Sequence, residues 1–404
     1  MRTVLAGVIF LLVSAQAFGA LLSPRTFNKL NDIQESINEI SPANDKGAIE
    51  EIESSLIELA EDLNGNALGM ALTYQTHAQL KVKLEQYNLA SELLQKAISQ
   101  QDLDTPTQLQ LTLFLAQVYL SLEKYQEISL LLEAAVNNKE FKISAPVYAL
   151  LAASYYYLNN FELGLPHIIK AIELSKKPKE PWLQMAFSGS YHKKDYPMAL
   201  TYSNLLVLNF PDKKDYWRQK AGLHQLMENY QGAAIASDLA FKKGFIEKES
   251  EFINLSQLLA TQGDPFKVAN LLENALNNGL IEENEKVLNL LQQAWMQSKE
   301  IQKGSKVLTR LFESHPTPER GLRLMQLLAD SEEWEKTIEV ANLVYPLKLT
   351  EKQRGKVFVL NGISQFNLGQ SRQALTTLSK AAAISSSSSQ AKGWMSFIKQ
   401  MTQG

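Results

Sequence analysis

The sequence predicts an all-α chain, an α-solenoid of about nine consecutive helix pairs. Three observations carry that prediction. The segments "KYQEISLLLEAAV", "NFELGLPHIIKAI", "DYPMALTYSNLLV" and "NYQGAAIASDLAF" align without gaps. Segments of this form return at intervals close to 35 residues over most of the 404-residue chain. Within an interval the apolar residues step by three and four, as Leu111, Leu115, Val118 and Leu122 do, which sets them on one face of a helix. Strand-type alternation is nearly absent, and a period of this length with two helical stretches is the mark of a repeat architecture.

The register is set by the middle residue of each segment. Those anchors are Ala90, Ile128, Gly164, Ala199, Ala233, Val268, Gly304, Thr337 and Ala374. Three residues earlier stand Tyr87, Tyr125, Phe161, Tyr196, Tyr230, Pro265, Ile301, Trp334 and Ser371, six of them aromatic where a 9% background would give about one. Seven after each anchor come Ala97, Ala135, Ala171, Leu206, Ala240, Ala275, Leu311, Val344 and Ala381; twelve before, Ala78, Ala116, Ala152, Phe187, Ala221, Ser256, Gln292, Met325 and Gly362. Small residues recur where two helices would approach closely. The units around Gly304 and Thr337 break this pattern at Gln292 and Met325, so distorted or differently packed helix pairs are expected there. Turn signals separate the two helices of each unit, and Pro146, Pro181 and Pro318 fall at the starts of first helices, where a missing N–H costs nothing.

Outside the repeat, residues 24–66 read as an N-terminal capping helix pair and residues 390–401 as a C-terminal capping helix. The repeats occupy 68–385. Ser385 to Ser389 read as a short flexible linker, with Trp394, Phe397 and Ile398 covering the end of the array. At the other end, Arg2, the apolar run Val4 to Val13 and Ala15-Gln16-Ala17 have the form of a signal peptide over residues 1–17. An uncleaved anchor is the competing reading, because Leu21 and Leu22 extend the apolar run. An exported chain with no cysteine has neither disulfides nor thiolate metal ligands, which fits the periplasm of a Gram-negative bacterium.

Little in the chain supports catalysis. The histidines His77, His167, His192, His224 and His315 are scattered over five repeat regions, with no metal-ligand spacing, no glycine-rich phosphate loop and no nucleophile elbow. No cofactor or metal is expected. With a net charge of −3, no charge asymmetry that would point to nucleic acid is expected. What remains is surface for a protein or peptide partner.

Trp217, Ala221, Tyr230, Ala233 and Ala240, with Pro211 closing the previous unit, resemble the tetratricopeptide repeat. That resemblance implies a right-handed superhelix whose first helices line a concave, partner-binding face. It places Tyr155 in the core, with Tyr119 and Trp295, and sends Tyr156, Tyr157, Gln184, Ser188, Tyr191, His192, Arg218 and Gln225 into the groove. The carboxylate-clamp pattern of some tetratricopeptide domains is missing; Leu113, Gln117, Ala149 and Ala153 hold equivalent places.

A finer likeness lies in Ala240 to Gly244 with Ile246, Gly263-Asp264-Pro265, Gly279 with Ile281, and Ala294-Trp295. These resemble periplasmic tetratricopeptide proteins associated with TonB–ExbB–ExbD systems. The resemblance implies a non-enzymatic scaffold in nutrient, often iron-chelate, uptake. The alternatives are a scaffold or chaperone in envelope or polysaccharide assembly and a small-molecule receptor using the aromatic groove.

Overall fold

The structure, a computed structural model, describes residues 22–403. The signal-peptide reading of residues 1–17 lies outside them. Every regular element among the described residues is an α-helix. In order these are α1 (Pro24–Glu39), α2 (Lys46–Asp62), α3 (Ala67–Lys83), α4 (Tyr87–Ile98), α5 (Thr105–Ser121), α6 (Tyr125–Asn137), α7 (Ala145–Tyr157), α8 (Phe161–Glu173), α9 (Glu180–His192) and α10 (Tyr196–Asn209). They continue as α11 (Lys214–Leu226), α12 (Tyr230–Lys242), α13 (Glu249–Thr261), α14 (Pro265–Asn277), α15 (Glu285–Gln297), α16 (Ile301–Ser314), α17 (Pro318–Asp330), α18 (Trp334–Val344), α19 (Glu351–Asn367), α20 (Ser371–Ala382) and α21 (Ser388–Gln403). The chain divides into two compact units, one closing at Pro211 with α1–α10 and one opening at Asp212 with α11–α21. No helix among the described residues is long and apolar enough to cross a membrane.

One backbone arrangement, met nine times among the described residues, sets the register of both units. Each first helix ends before a residue with φ between 54° and 77°, five positions ahead of the anchor: Glu85, Glu123, Asn159, Lys194, Glu228, Gly263, Lys299, Glu332 and Gly369. The N–H of the next residue then donates to the carbonyl five residues back, as Gln86 does to Lys81 and Glu333 to Leu328, over 2.8–3.3 Å. This left-handed closure satisfies carbonyls that a helix end would otherwise leave without partners. The residue making that bond also starts the second helix. Asn160, Asp195, Asn229 and Asp264 accept a backbone N–H three residues on, at 2.8–3.2 Å. Every second helix therefore begins three residues before its anchor, at the positions that are aromatic in six units.

All nine anchors are buried, as are all nine residues seven positions later. Each first helix packs on the second helix that follows it. In the first unit Leu94, Leu111, Ile128, Leu132 and Leu151 join the small residues in one core, and α1–α2 add Ile37, Leu56 and Leu59 against Leu80. In the second unit the core runs through Phe252, Leu272, Leu288, Trp295, Phe312 and Leu324.

Three expectations change. The pairs α15–α16 and α17–α18 are regular, because Gln292 and Met325 are themselves buried where a small residue was expected. In α9 the small buried residue is Ala186, one place earlier than the register implied, and Phe187 turns partly outward. Ser385 to Ser389 form no loose linker: Ser387 is buried, its hydroxyl donates to the Ala381 carbonyl at 2.7 Å, and α21 already starts at Ser388. Gly355 leaves room for that hydroxyl, since a Cβ there would lie 2.4 Å from it.

Seven of the nine left-handed positions carry a side chain, each at a cost of about 1 kcal/mol relative to glycine. Lys299→Gly is thus expected to raise stability by up to about 1 kcal/mol. Gly263→Ala, with open space around the added methyl but φ +76°, should lower it by a similar amount. Chemical denaturation of the two variants checks this, and equal midpoints would show that the turn does not hold this geometry.

Candidate functional site

The three consecutive tyrosines at the end of α7 take three different environments. Tyr156 is 5% exposed, and its hydroxyl donates to the Met185 carbonyl of α9 at 2.7 Å. Two glycines make that possible. A Cβ on Gly164 would stand 2.6 Å from the ring, and one on Gly189 would stand 2.0 Å from the hydroxyl. Burial raises the phenol pKa well above its ordinary value, so the ring stays neutral. Tyr156 is therefore packing, a correction to its assignment to an open groove.

Tyr155, expected in the core, is only half-buried. Its hydroxyl donates to Glu133 of α6 at 3.1 Å, and its ring lies parallel to His167, whose Nε2 is 3.1 Å from the same carboxylate oxygen. It belongs to a polar ladder between successive units. Glu53 pairs with Lys81, Gln95 Nε2 donates to the Tyr119 hydroxyl at 2.6 Å, and Glu133 holds Tyr155. In each rung the second residue sits four places before a left-handed turn. Tyr157 stacks face to face on Tyr125, centroids 4.2 Å apart, so one of its faces is covered.

The other candidates of this unit lie on α9. Gln184, Ser188, Tyr191 and His192 follow one another at helical spacing; Gln184, Tyr191 and His192 are exposed and Ser188 is half-buried. Tyr191 is 42% exposed, flanked by Phe187 and Tyr196 with centroids about 6 Å away. His192 stacks on Phe161 at 4.0 Å. The strip offers an aromatic face bordered by an amide and a hydroxyl, suited to stacking and hydrogen bonding.

Arg218 and Gln225 belong to the second unit and are engaged there. Arg218 Nε lies 2.7 Å from Glu251, and Gln225 donates to Asn254 at 3.1 Å. Further polar links tie the starts of successive first helices: Asn284 to Glu249 at 3.0 Å, Arg320 to Glu285, and Gln353 to Glu319 at 2.7 Å. Between these links runs a feature that the sequence reading passed over. Gln257, Gln293 and Gln326 hold the same place on α13, α15 and α17, six before the left-handed residue, and all three are exposed. Gln79 and Gln117 hold that place in the first unit. The recurrence was visible once the turn positions were aligned, because glutamine has no packing role that would demand it there. Gln326 Nε2 donates to Asp330 of its own helix at 2.8 Å, and each amide still has an N–H and a C=O to present, which matches the repeating N–H and C=O of an extended peptide.

Among the described residues no group of three or more His, Asp or Glu side chains is placed to hold a metal ion. A cavity of about 300 Å³ opens beside Leu165, Pro166, Ile169 and Met198, and none of the eight candidate residues lines it. Ala240 and Ala275 accept the closing N–H of Phe245 and Leu280 past Gly244 and Gly279, while Gly263-Asp264-Pro265 supplies a left-handed turn, a cap and a first helical residue. Those features of the finer likeness thus have a sufficient cause in helix-end chemistry.

No family model and no curated protein matches the chain. Solved structures do. YrrB, a tetratricopeptide repeat protein with an unusual peptide-binding site, is 14% identical over 47% of this chain and 96% of its own, with a TM-score of 0.33. The TPR2AB domain of yeast Sti1, solved with pHSP90, is 14% identical over 63% of this chain and 96% of its own, at 0.32. A tetratricopeptide repeat protein from Parabacteroides merdae is 10% identical over 81% of this chain and 98% of its own, at 0.27.

Truncating Tyr156 to alanine should cost about 3–5 kcal/mol, as for other buried aromatic residues. Tyr156→Phe should cost about 1 kcal/mol for the lost hydrogen bond, and Tyr191→Ala less than about 1 kcal/mol. Urea titration of the three proteins checks the order; equal losses at Tyr156 and Tyr191 would contradict their placement.

Proposed function

We propose that this chain is a non-enzymatic protein–protein interaction scaffold that holds an extended segment of a partner on the exposed faces of its first helices. The single observation carrying the proposal is the glutamine row Gln257, Gln293 and Gln326. Exposed amides at one register position in three successive first helices give spaced hydrogen-bonding pairs, and hydrogen bonding to a partner's backbone supplies affinity without a charged key. The α9 strip around Tyr191 adds an aromatic contact in the first unit, of the kind that dominates interface energetics.

The compartment proposed is the periplasm. Its support is the charged start, apolar run and small-x-small site within residues 1–17, together with the absence of cysteine. The partner system proposed is a TonB-type energy-transduction machine for nutrient uptake, with its periplasmic domains as the segments bound. That part rests on the turn sequences named above.

Cross-linking followed by affinity capture from a periplasmic extract tests the reading. The wild-type chain should enrich periplasmic domains of a TonB-type system. Replacing Gln257, Gln293 and Gln326 together by alanine should reduce capture about tenfold or more while leaving the helical spectrum and denaturation midpoint nearly unchanged, and Tyr191→Ala should weaken it further. Undiminished capture by the triple variant would remove the glutamine row as the binding surface, and amino-terminal sequencing of the exported chain that found Met1 retained would remove the cleaved leader.

A further inference from the structure

The charge of the chain is distributed far from evenly. Residues 22–66, which form α1 and α2, contain ten acidic and three basic side chains. From residue 352 onward, through the rest of α19 after its first residue Glu351 and through α20 and α21, there are seven basic side chains and no acidic one. All seven are exposed, and none takes part in an ion pair among the described residues. The net charge of −3 conceals a segment of −7 and a segment of +7.

Each segment also presents an apolar centre on a solvent-facing helix. On α2, Glu50, Ile57, Glu58 and Glu61 recur at helical spacing on the exposed side, and Ile57 is 53% exposed. On α21, Ala391 and Ile398 are buried against the preceding helices, while Phe397 and Met401, four residues apart, are 46% and 62% exposed. Lys392 and Lys399 flank them. Phe397 contacts Trp394 and Phe366 edge-on, at centroid distances of 5.7 and 5.8 Å, so the exposed ring is held by two neighbours. An apolar patch on a fixed scaffold with one sign of charge around it has the character of an interaction surface.

We infer that the occupant of the α21 surface is the α1–α2 surface of a second copy of this chain, giving a head-to-tail association. A complement of opposite sign is present in the same molecule type, even with Lys81 paired to Glu53 and Lys83 on the Ile37 and Asn38 carbonyls, and it carries an exposed isoleucine to meet the phenylalanine and methionine. Because the two surfaces differ, the contact is heterologous: each copy keeps one of each kind, and association proceeds to short open chains unless it closes into a ring. Attraction between opposite surface charges is screened by salt, so association weakens steeply as ionic strength rises.

Analytical ultracentrifugation of the purified full chain tests this. Wild type should associate with concentration at low salt and dissociate at high salt. Glu58→Lys with Glu61→Lys in one variant, and Lys392→Glu with Lys399→Glu in another, should each be monomeric alone, and an equimolar mixture of the two should associate again. All four sites are exposed, so unchanged circular dichroism is expected of both variants. A wild-type chain that stays monomeric at low salt over a wide concentration range overturns the inference, as does a mixture that fails to recover association. Binding of the monomeric wild type to vesicles of anionic phospholipid, abolished by the lysine reversals, would assign the basic surface to a membrane and equally overturn it.

Discussion

Everything in this chain depends on how a first helix is ended. A single left-handed residue, closed by one backbone bond to the carbonyl five residues before its donor, fixes the point at which the chain reverses. The next residue starts the second helix, and the anchor follows four positions after that, so its burial is a geometric result of the turn. The small residues opposite then let the paired helices approach, and the larger apolar side chains fill the remaining space. A side chain at a left-handed position opposes this closure by about 1 kcal/mol. At seven of the nine turns the closure forms despite that cost.

The helix-pair register was legible in the sequence because it is written in local terms. The aromatic-to-anchor spacing marks where second helices start, and the capping Asn and Asp residues stand where a cap is needed. Burial of particular aromatic residues was less legible. Tyr155 and Tyr156 exchanged expected places because the deciding groups lie elsewhere in the chain: Gly164 and Gly189 open a seat for Tyr156, and Glu133 draws the hydroxyl of Tyr155. Phe187 misled for a similar reason, since the neighbouring Ala186 could take the close contact instead. The glutamine row was hidden by its modesty. One exposed Gln is unremarked in any helix, and only alignment on the turn positions shows the same place filled in successive units.

The aromatic residues and the polar residues divide the work differently from what composition alone implies. Most rings are absorbed into helix packing: Trp295 is fully buried with Lys303 over its ring at 4.1 Å, Tyr157 lies on Tyr125, and His192 on Phe161. Charged and amide side chains at the starts of first helices set their lateral spacing through pairs such as Asn284 with Glu249 and Gln353 with Glu319. Once those duties are subtracted, Tyr191, Gln257 and Gln293 stand out as exposed groups, with Gln326 held by Asp330 at the same register position.

The way the turns close has a consequence for how such a chain can change over time. Each closure is made by backbone groups, and the left-handed position, exposed in every unit, is filled by Glu, Asn, Lys or Gly. Side chains at these places, and at the exposed register positions beside them, can be exchanged without disturbing the register that holds the core. A lineage could therefore alter what its surface recognises, one unit at a time, while inheriting the same stack of helices. Diversity of binding would accumulate on a frame whose folding instructions stay constant.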